Sequence, residues 1–244
     1  MRLTSNVHEI PFELAYNPSI EKFLGSLYKI GRVQLSAFPI KGLQRLDGLS
    51  MLVIGDIKPN PIEGISIPEL PFSKAEVEAI SDILTRKGFR VRVLNGAEAT
   101  FMNLQRIFNS EEFQIIHFSA HGISQAGVLS GLVLADRIVK YDELLPANLP
   151  PSLIVLSACS SGVVLNEVAI QFIEHGAIGL IGFIGPVTDN AAEFLAVKFY
   201  EALAKGETLG NALQIARETF RAQLSDDFSW ASFVLFGDPT ITVV

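Results

Sequence analysis

Cysteine is nearly absent from this chain, because Cys159 is the only one among its 244 residues. A single cysteine excludes a disulfide within the chain and favours a reducing compartment, so we expect a cytoplasmic protein. The N-terminus opens no apolar stretch of the kind that starts a secretory signal. The charge-free run over residues 177–187 is too short and too rich in glycine to cross a bilayer, which takes about 20 helical residues. The sequence therefore predicts no membrane contact.

Basic residues are also fewer than acidic residues. The chain has 19 Lys and Arg residues against 26 Asp and Glu residues, a formal net charge of −7. Contact with a nucleic-acid backbone needs a basic face, so we expect no nucleic-acid partner. A metal site is disfavoured, because His117 and His121 stand four residues apart on a predicted strand, a spacing of about 13 Å. Neither a Gly-rich phosphate loop nor a Gly-x-Ser-x-Gly elbow occurs, which disfavours nucleotide binding and serine hydrolysis.

The fold is indicated by apolar runs of strand length that alternate with helical patterns from residue 49 onward. One helix begins with Ser73-Lys74-Ala75-Glu76, a pattern typical of a capping box, and ends at Gly88. The alternation predicts an α/β fold with a mostly parallel central sheet and helices on both faces. Two consecutive helices precede the last strand, which favours a place for that strand at an edge of the sheet. We predict a domain core over residues 49–244 and an N-terminal segment of the same domain over residues 1–48.

Two predicted strands end in reactive side chains. His121 follows one apolar run and Cys159 follows the next along the chain. In open α/β sheets, sites form beyond the carboxyl ends of the strands, so the imidazole and the thiol are candidates for a base and a nucleophile. The main-chain amides of Gly122 and Cys159 are candidate donors to an oxyanion. A second interpretation stays open at this point, because a lone cysteine at a strand end is usually a small buried hydrophobe and a His-Gly pair is often a turn.

A resemblance extends this interpretation. The segments His117–Gly122 and Val155–Gly162 resemble the two motifs of the CHAT domain, a family of caspase-like cysteine peptidases related to separases, metacaspases and gingipains. The segment Ile10–Leu14 resembles the early Pro-aromatic-Glu-Leu segment of that family, and Trp230–Phe233 and Phe236–Pro239 follow in family order. The resemblance covers nearly the whole chain, from about residue 8 to residue 244.

The resemblance implies a caspase-like three-layer sandwich and a His/Cys dyad. His121 would be the base and Cys159 the nucleophile, with Gly122 and Cys159 as oxyanion donors. It implies no metal and no organic cofactor, a protein or peptide substrate, and a tetratricopeptide-repeat or other sensor module as partner. The family usually has a tryptophan before its Pro-Val-x-Asp segment, whereas this chain has Phe183-Ile184-Gly185-Pro186, a difference that affects the cleft wall. The first residues of the chain already resemble the interior of the domain, so we expect a chain that is truncated upstream.

Substrate specificity rests on fewer residues. Asp56 ends a predicted strand, Asp189 begins a predicted helix, and Ser157 stands two residues before the cysteine. Related separases and metacaspases prefer basic P1 residues through acidic pockets, so the resemblance implies such a pocket here, with Asp56 and Asp189 as its candidate carboxylates. Ser157 is a further candidate for substrate binding. An alternative for Asp189 is a helix cap, worth about 1 kcal/mol. At the level of function, the alternatives are a catalytically silent CHAT-fold binding module and a different thiol chemistry such as acyl transfer.

Overall fold

The computed structural model describes residues 2–3, 10–32, 46, 48–61, 67–125, 129–146, 149–159 and 162–243. The strands in these residues are β1 (Arg2–Leu3), β2 (Tyr16–Asn17), β3 (Lys22–Phe23), β4 (Gly31–Arg32), β5 (Ser50–Ile57), β6 (Arg90–Gly96), β7 (Ile115–Ser119), β8 (Gly122–Gln125), β9 (Leu129–Val133), β10 (Ile138–Lys140), β11 (Ser152–Cys159), β12 (Ala177–Phe183) and β13 (Phe233–Gly237). The helices are α1 (Leu24–Leu27), α2 (Ser73–Arg86), α3 (Phe101–Ser110), α4 (Tyr141–Leu144), α5 (Gly162–Glu174), α6 (Asp189–Leu203), α7 (Leu209–Gln223) and α8 (Ser229–Ser232), with a 3₁₀ turn at Phe12–Leu14.

The central sheet has the strand order β1-β4-β13-β12-β11-β7-β5-β6 within the described residues. Neighbouring strands are parallel except β12 and β13, which are antiparallel. The predicted α/β class with a mostly parallel sheet is therefore confirmed. The expected edge position of the last strand is wrong, because β4 pairs with the free side of β13 through Phe236 and Arg32. The N-terminal segment supplies that pairing.

Helices cover both faces of the sheet. On one face, α2, α6 and α7 pack on alternate strand residues such as Val53 and Val155. On the other face, α3 and α5 pack on the intervening residues, such as Ile54 and Leu156. The central strands are thus apolar on both sides, as expected for parallel strands between two helical layers. Among the helices of the described residues, none is both long and apolar enough to span a bilayer.

The start of α2 differs from the predicted capping box. Phe72 occupies the N-cap position without a side-chain cap, and Ser73 is already the first helical residue. The side chains of Ser73 and Glu76 are buried and turn toward the sheet instead of folding back on the helix. The Ser-x-x-Glu pattern therefore marks a helix start, but its side chains bind other elements.

A buried ion cluster fastens the N-terminal segment to the core. Arg32 on β4 donates from both terminal nitrogens to Glu13, at 2.9 and 2.8 Å. Arg217 on α7 donates to the same carboxylate at 3.3 Å, and its Nε donates to the Phe233 carbonyl at 2.9 Å. Burial lowers the pKa of Arg217 to about 10, so its guanidinium stays charged at neutral pH. Two buried cations thus share one buried anion.

Candidate active site

The two strands that precede the predicted dyad are direct neighbours. β7 and β11 are parallel, and their register pairs Ser119 with Ser157. His121 comes two residues after Ser119, and Cys159 comes two residues after Ser157. The pairing extends past the strand end, because the Ala120 amide donates to the Ser157 carbonyl at 3.3 Å. The ends of the two strands therefore lie side by side, each two residues before one of the reactive residues.

The ring of His121 is held by a loop carbonyl. Its Nε2 lies 2.8 Å from the main-chain oxygen of Pro68, in the loop between β5 and α2. Because a carbonyl oxygen can only accept a hydrogen bond, Nε2 carries the proton and Nδ1 of the neutral ring is left as the acceptor. Pro68 is the member of this site that the sequence did not reveal. The only signal was its place in a proline-rich loop after a strand.

Gly122 opens a second sheet directly after the histidine. It stands opposite Leu132 in the antiparallel pair of β8 and β9, while the Val133 amide donates to the His121 carbonyl at 2.9 Å. That bond makes Gly122 and Leu132 a non-hydrogen-bonded pair, so the Gly122 amide is directed away from β9. The amide is therefore free of the strand ladder and lies at the edge of the cavity described next.

A small cavity at the carboxyl end of the sheet is lined by four of the predicted residues, His121, Gly122, Ser157 and Asp189. Its lining comes from the ends of β7 and β11, from the loop before α2 and from the start of α6: Leu70, Ala120, His121, Gly122, Ser157, Ala158, Val187, Asp189 and Ala192. A second cavity, on the Pro68 side of His121, includes Pro59 and Val133. The imidazole is partly exposed and stands between the two.

The end of β11 departs from regular pairing. Leu156 is opposite Gly182 and Cys159 is opposite Phe183, so β11 carries two extra residues against β12. Bulges of this kind occur next to active sites, where they change the direction of a side chain. The Cys159 main chain ends the strand, whereas its side chain, Ser160 and Ser161 lie outside the described residues.

Asp189 links two helices. It is the first residue of α6, and Thr188 holds the N-cap position. Its Oδ2 accepts a hydrogen bond from the Phe72 amide at 2.7 Å, so the carboxylate serves the start of α2 instead of capping its own helix. Burial raises the pKa of Asp189, and the nearby Glu76 carboxylate adds to that shift, while the Phe72 amide and His121 oppose it.

Asp56 and Ser157 have different surroundings. Asp56 lies at an irregularity of β5 with a φ of 47°, a left-handed conformation, and its carboxylate is 3.6 Å from Lys58 Nζ. Ser157 is buried on the cavity wall, and its hydroxyl makes no hydrogen bond with a described residue. The cavity therefore brings Ser157 and Asp189 together with His121, whereas the Asp56 carboxylate has a lysine as its neighbour.

The comparisons with known proteins decide the family. The family model described as "CHAT domain" matches residues 2–238. The chain belongs to the CHAT domain family. None of the curated proteins matches its sequence. Over the part of this CHAT domain that the structure describes, no group of three His, Cys, Asp or Glu side chains is arranged to hold a metal ion.

Several solved structures share the fold of this CHAT domain. The Arg-specific cysteine proteinase gingipain R of Porphyromonas gingivalis matches with a TM-score of 0.65 and 14% identity, over 88% of this chain and 55% of that one. Caspase-1 from Spodoptera frugiperda has a TM-score of 0.56 and 13% identity, over 84% and 94%. Separase from Saccharomyces cerevisiae, in its complex with securin, has a TM-score of 0.54 and 13% identity, over 96% and 15%. The chain thus spans about half the length of the gingipain chain, and at these identities the likeness concerns the caspase-like fold.

Proposed function

We propose that this CHAT domain is a caspase-like cysteine endopeptidase, with Cys159 as nucleophile and His121 as base. The observation that carries the proposal is the register of β7 and β11, in which Ser119 and Ser157, each two residues before a proposed member of the dyad, are direct neighbours. The hydrogen bond from His121 to the Pro68 carbonyl supports it, because it leaves the other ring nitrogen able to accept a proton.

The proposed reaction follows from these roles. His121 Nδ1 takes the proton of the Cys159 thiol, which at its ordinary pKa of about 8.5 is mostly uncharged at neutral pH. The thiolate sulfur attacks the carbonyl carbon of the peptide, and the oxyanion takes hydrogen bonds from the amides of Gly122 and Cys159. The imidazolium gives its proton to the leaving amine, and the C–N bond breaks. Water, deprotonated by His121, then hydrolyses the thioester and restores the thiol.

The proposed specificity is for a basic P1 residue. Asp189 and Ser157 line the cavity that contains His121. The structural likeness to an Arg-specific proteinase fits this choice. Asp56 stays in the proposal as a second carboxylate at the same edge of the sheet, although a substrate cation would have to compete with Lys58 for it.

Regulation by another protein is also part of the proposal. Separase, which shares the fold, is described in a complex with securin, and the family resemblance suggests a tetratricopeptide-repeat or other sensor module as the regulator here. A cytoplasmic location fits the same mechanism, because a reducing compartment keeps a catalytic thiol from being oxidised.

The first experiment measures the reactivity of the thiol. Because Cys159 is the only cysteine, alkylation by iodoacetamide reports on it alone. We expect fast alkylation at pH 7 that slows about tenfold in His121→Ala, since the base that generates the thiolate is gone. His175→Ala, at the end of α5, is the matched control and should react like the wild type. A slow thiol whose rate is the same in both variants would contradict the dyad and favour the silent binding module.

The second experiment measures cleavage. A fluorogenic panel with Arg, Lys, Asp or Leu at P1 should show turnover of the basic substrates, lost by at least about 100-fold in His121→Ala. Cys159→Ala should abolish turnover and unfold at the same urea concentration as the wild type. A preference for Asp or Leu would end the acidic-pocket proposal while leaving the dyad intact.

A further inference from the structure

A second group of polar side chains lies beneath the cavity. It consists of Ser73 and Glu76 from the first turn of α2, His117 and Ser119 from β7, and Tyr200 from α6, and all five are buried. None of them was assigned a role in the proposed reaction. Buried polar groups are unfavourable unless they are paired, so their contacts indicate what they hold in place.

One branch of the group joins the ends of two strands to α2. The Asp56 amide donates to Ser73 Oγ at 2.8 Å, and the hydroxyl oxygens of Ser73 and Ser119 are 2.8 Å apart. Ser119 Oγ lies 2.6 Å from Glu76 Oε2. Because an amide can only donate and a carboxylate can only accept, Ser73 Oγ accepts from Asp56 and Ser119 Oγ donates to Glu76. The one proton of the Ser73 hydroxyl goes to Ser119 in either case, to its Oγ or to its carbonyl oxygen at 3.2 Å. The left-handed bend at Asp56 is thereby fastened to α2.

The other branch reaches Glu76 from α6. Tyr200 Oη lies 3.3 Å from His117 Nδ1, and His117 Nε2 lies 3.2 Å from Glu76 Oε1, off the line of a good hydrogen bond. Burial raises the pKa of Tyr200 well above its ordinary value, and the Glu76 carboxylate adds to that shift. His117 Nε2 faces a carboxylate oxygen, which favours a ring proton on Nε2, and in that tautomer Nδ1 accepts from the Tyr200 hydroxyl. Glu76 thus accepts a hydrogen bond from the first branch through Oε2, while its Oε1 faces His117 Nε2 in a charge–dipole contact without a hydrogen bond.

The elements that this group fastens are those that carry the candidate active site. Ser119 precedes His121 by two residues, and the loop with Pro68 runs directly into Phe72 and Ser73. The packing here leaves little room for adjustment, since a Cβ on Gly55 would stand 2.5 Å from Val77 Cγ2 and 3.1 Å from Ser119 Cβ. A shift of the first turn of α2 would thus move the histidine and its acceptor carbonyl relative to each other.

We propose that Glu76 is a positioning residue, which sets the geometry between the His121 ring and the Pro68 carbonyl through Ser119 and Ser73. The catalytic meaning of this inference rests on the proposed function. The structural part of the inference is independent of that function, because the tautomer of His121 can be measured without any substrate. A displacement of about 1 Å at a reacting group can lower a rate about 100-fold, so a small movement suffices for a large effect.

The experiment compares Glu76→Gln with Leu84→Ala. Gln keeps the size of the side chain and one acceptor but loses the charge, and Leu84 is a buried residue on the same helix without a part in the group. NMR of the ring nitrogens, with His121→Ala to assign its signals among the four histidines, reports the tautomer. In Glu76→Gln we expect the His121 ring to lose its preference for a proton on Nε2, and Cys159 alkylation at pH 7 to slow about tenfold. Leu84→Ala should lower stability and change neither measurement.

Ser119→Ala is the second variant, for the case that Glu76→Gln does not fold. It removes one hydroxyl and should change the His121 signals in the same direction. If Glu76→Gln, or Ser119→Ala in its place, leaves the tautomer and the alkylation profile as they are in Leu84→Ala, the positioning role is refuted. If His121→Ala has no effect on wild-type thiol reactivity, the proposed function fails instead, and the tautomer measurement still decides on Glu76.

Discussion

The buried cluster of Glu13, Arg32 and Arg217 makes a sharp prediction about stability. The Glu13 carboxylate accepts two hydrogen bonds from Arg32 and one from Arg217, and the three side chains are at most 1% exposed. Glu13→Gln keeps the shape and removes the only negative charge of the cluster. Two guanidinium groups are then buried without an anion. Breaking a buried ion pair in this way costs about 3–5 kcal/mol, because the remaining charge is left uncompensated.

The assay is urea unfolding together with calorimetry. For a chain of this size, 1 kcal/mol shifts the melting temperature by about 2–4 °C, so we expect Glu13→Gln to melt about 6–20 °C lower. The matched control is Glu78→Gln on α2, whose carboxylate is 69% exposed and 3.8 Å from Lys74. An exposed pair of this kind contributes no more than about 0.5 kcal/mol. A loss below about 1 kcal/mol in Glu13→Gln would refute the reasoning, since it would mean that water reaches the cluster and compensates the arginines.

Two further predictions concern the surroundings of the site. Because the pKa of Asp189 is raised in the folded state, its ionisation opposes folding as the pH rises above about 4, where the unfolded chain has already lost the proton. The urea midpoint of Asp189→Asn, measured relative to that of the wild type, should therefore rise between acidic and neutral pH. A difference between the two midpoints that does not depend on pH would contradict the raised pKa. Gly55→Ala should lower the free energy of unfolding by about 1–3 kcal/mol, because the added Cβ would clash with the Val77 side chain. In the control Gly185→Ala, the new Cβ would lie 4.0 Å from Ser232 Cβ, so the free energy of unfolding should stay within about 0.5 kcal/mol of the wild-type value. Equal losses of stability in the two variants would contradict the packing argument.

The sequence predicts those parts of the fold that depend on neighbours in the chain. The apolar runs that become β7 and β11 identify two strands, and the ends of neighbouring parallel strands meet at one edge of a sheet. Thr100 stands before a helical apolar pattern with Leu104 and Ile107, which is typical of an N-cap, and its hydroxyl accepts from the Asn103 amide at 3.2 Å at the start of α3. Local pattern suffices to identify each strand and the helix start, because the apolar runs and the cap involve residues that are close in sequence.

The errors concern partners that are distant in sequence. Ser73 and Glu76 have the spacing of a capping box, but Ser119 and His117 compete for them, and those residues lie more than 40 positions away. The inner position of β13 depends on β4: the sequence from Gly31 onward is compatible with a strand, but nothing in it indicates that β13 is the partner. The acceptor for His121 is a main-chain carbonyl, and every residue has one, so no sequence motif could have pointed to Pro68.

The contacts of Asp189 limit how it could recognise a substrate. Its Oδ2 is occupied by the Phe72 amide, and that hydrogen bond joins the start of α6 to the residue that precedes α2. A guanidinium binds a carboxylate best through both oxygens, and in that geometry Oδ2 would accept from the guanidinium and from the Phe72 amide at once. The Phe72 amide thus leaves one lone pair of Oδ2 for a substrate and fixes the direction from which a paired guanidinium could approach. A compact ammonium group needs only Oδ1 and has no such constraint. An acidic pocket formed by this residue would therefore accept Lys at P1 from more directions than Arg.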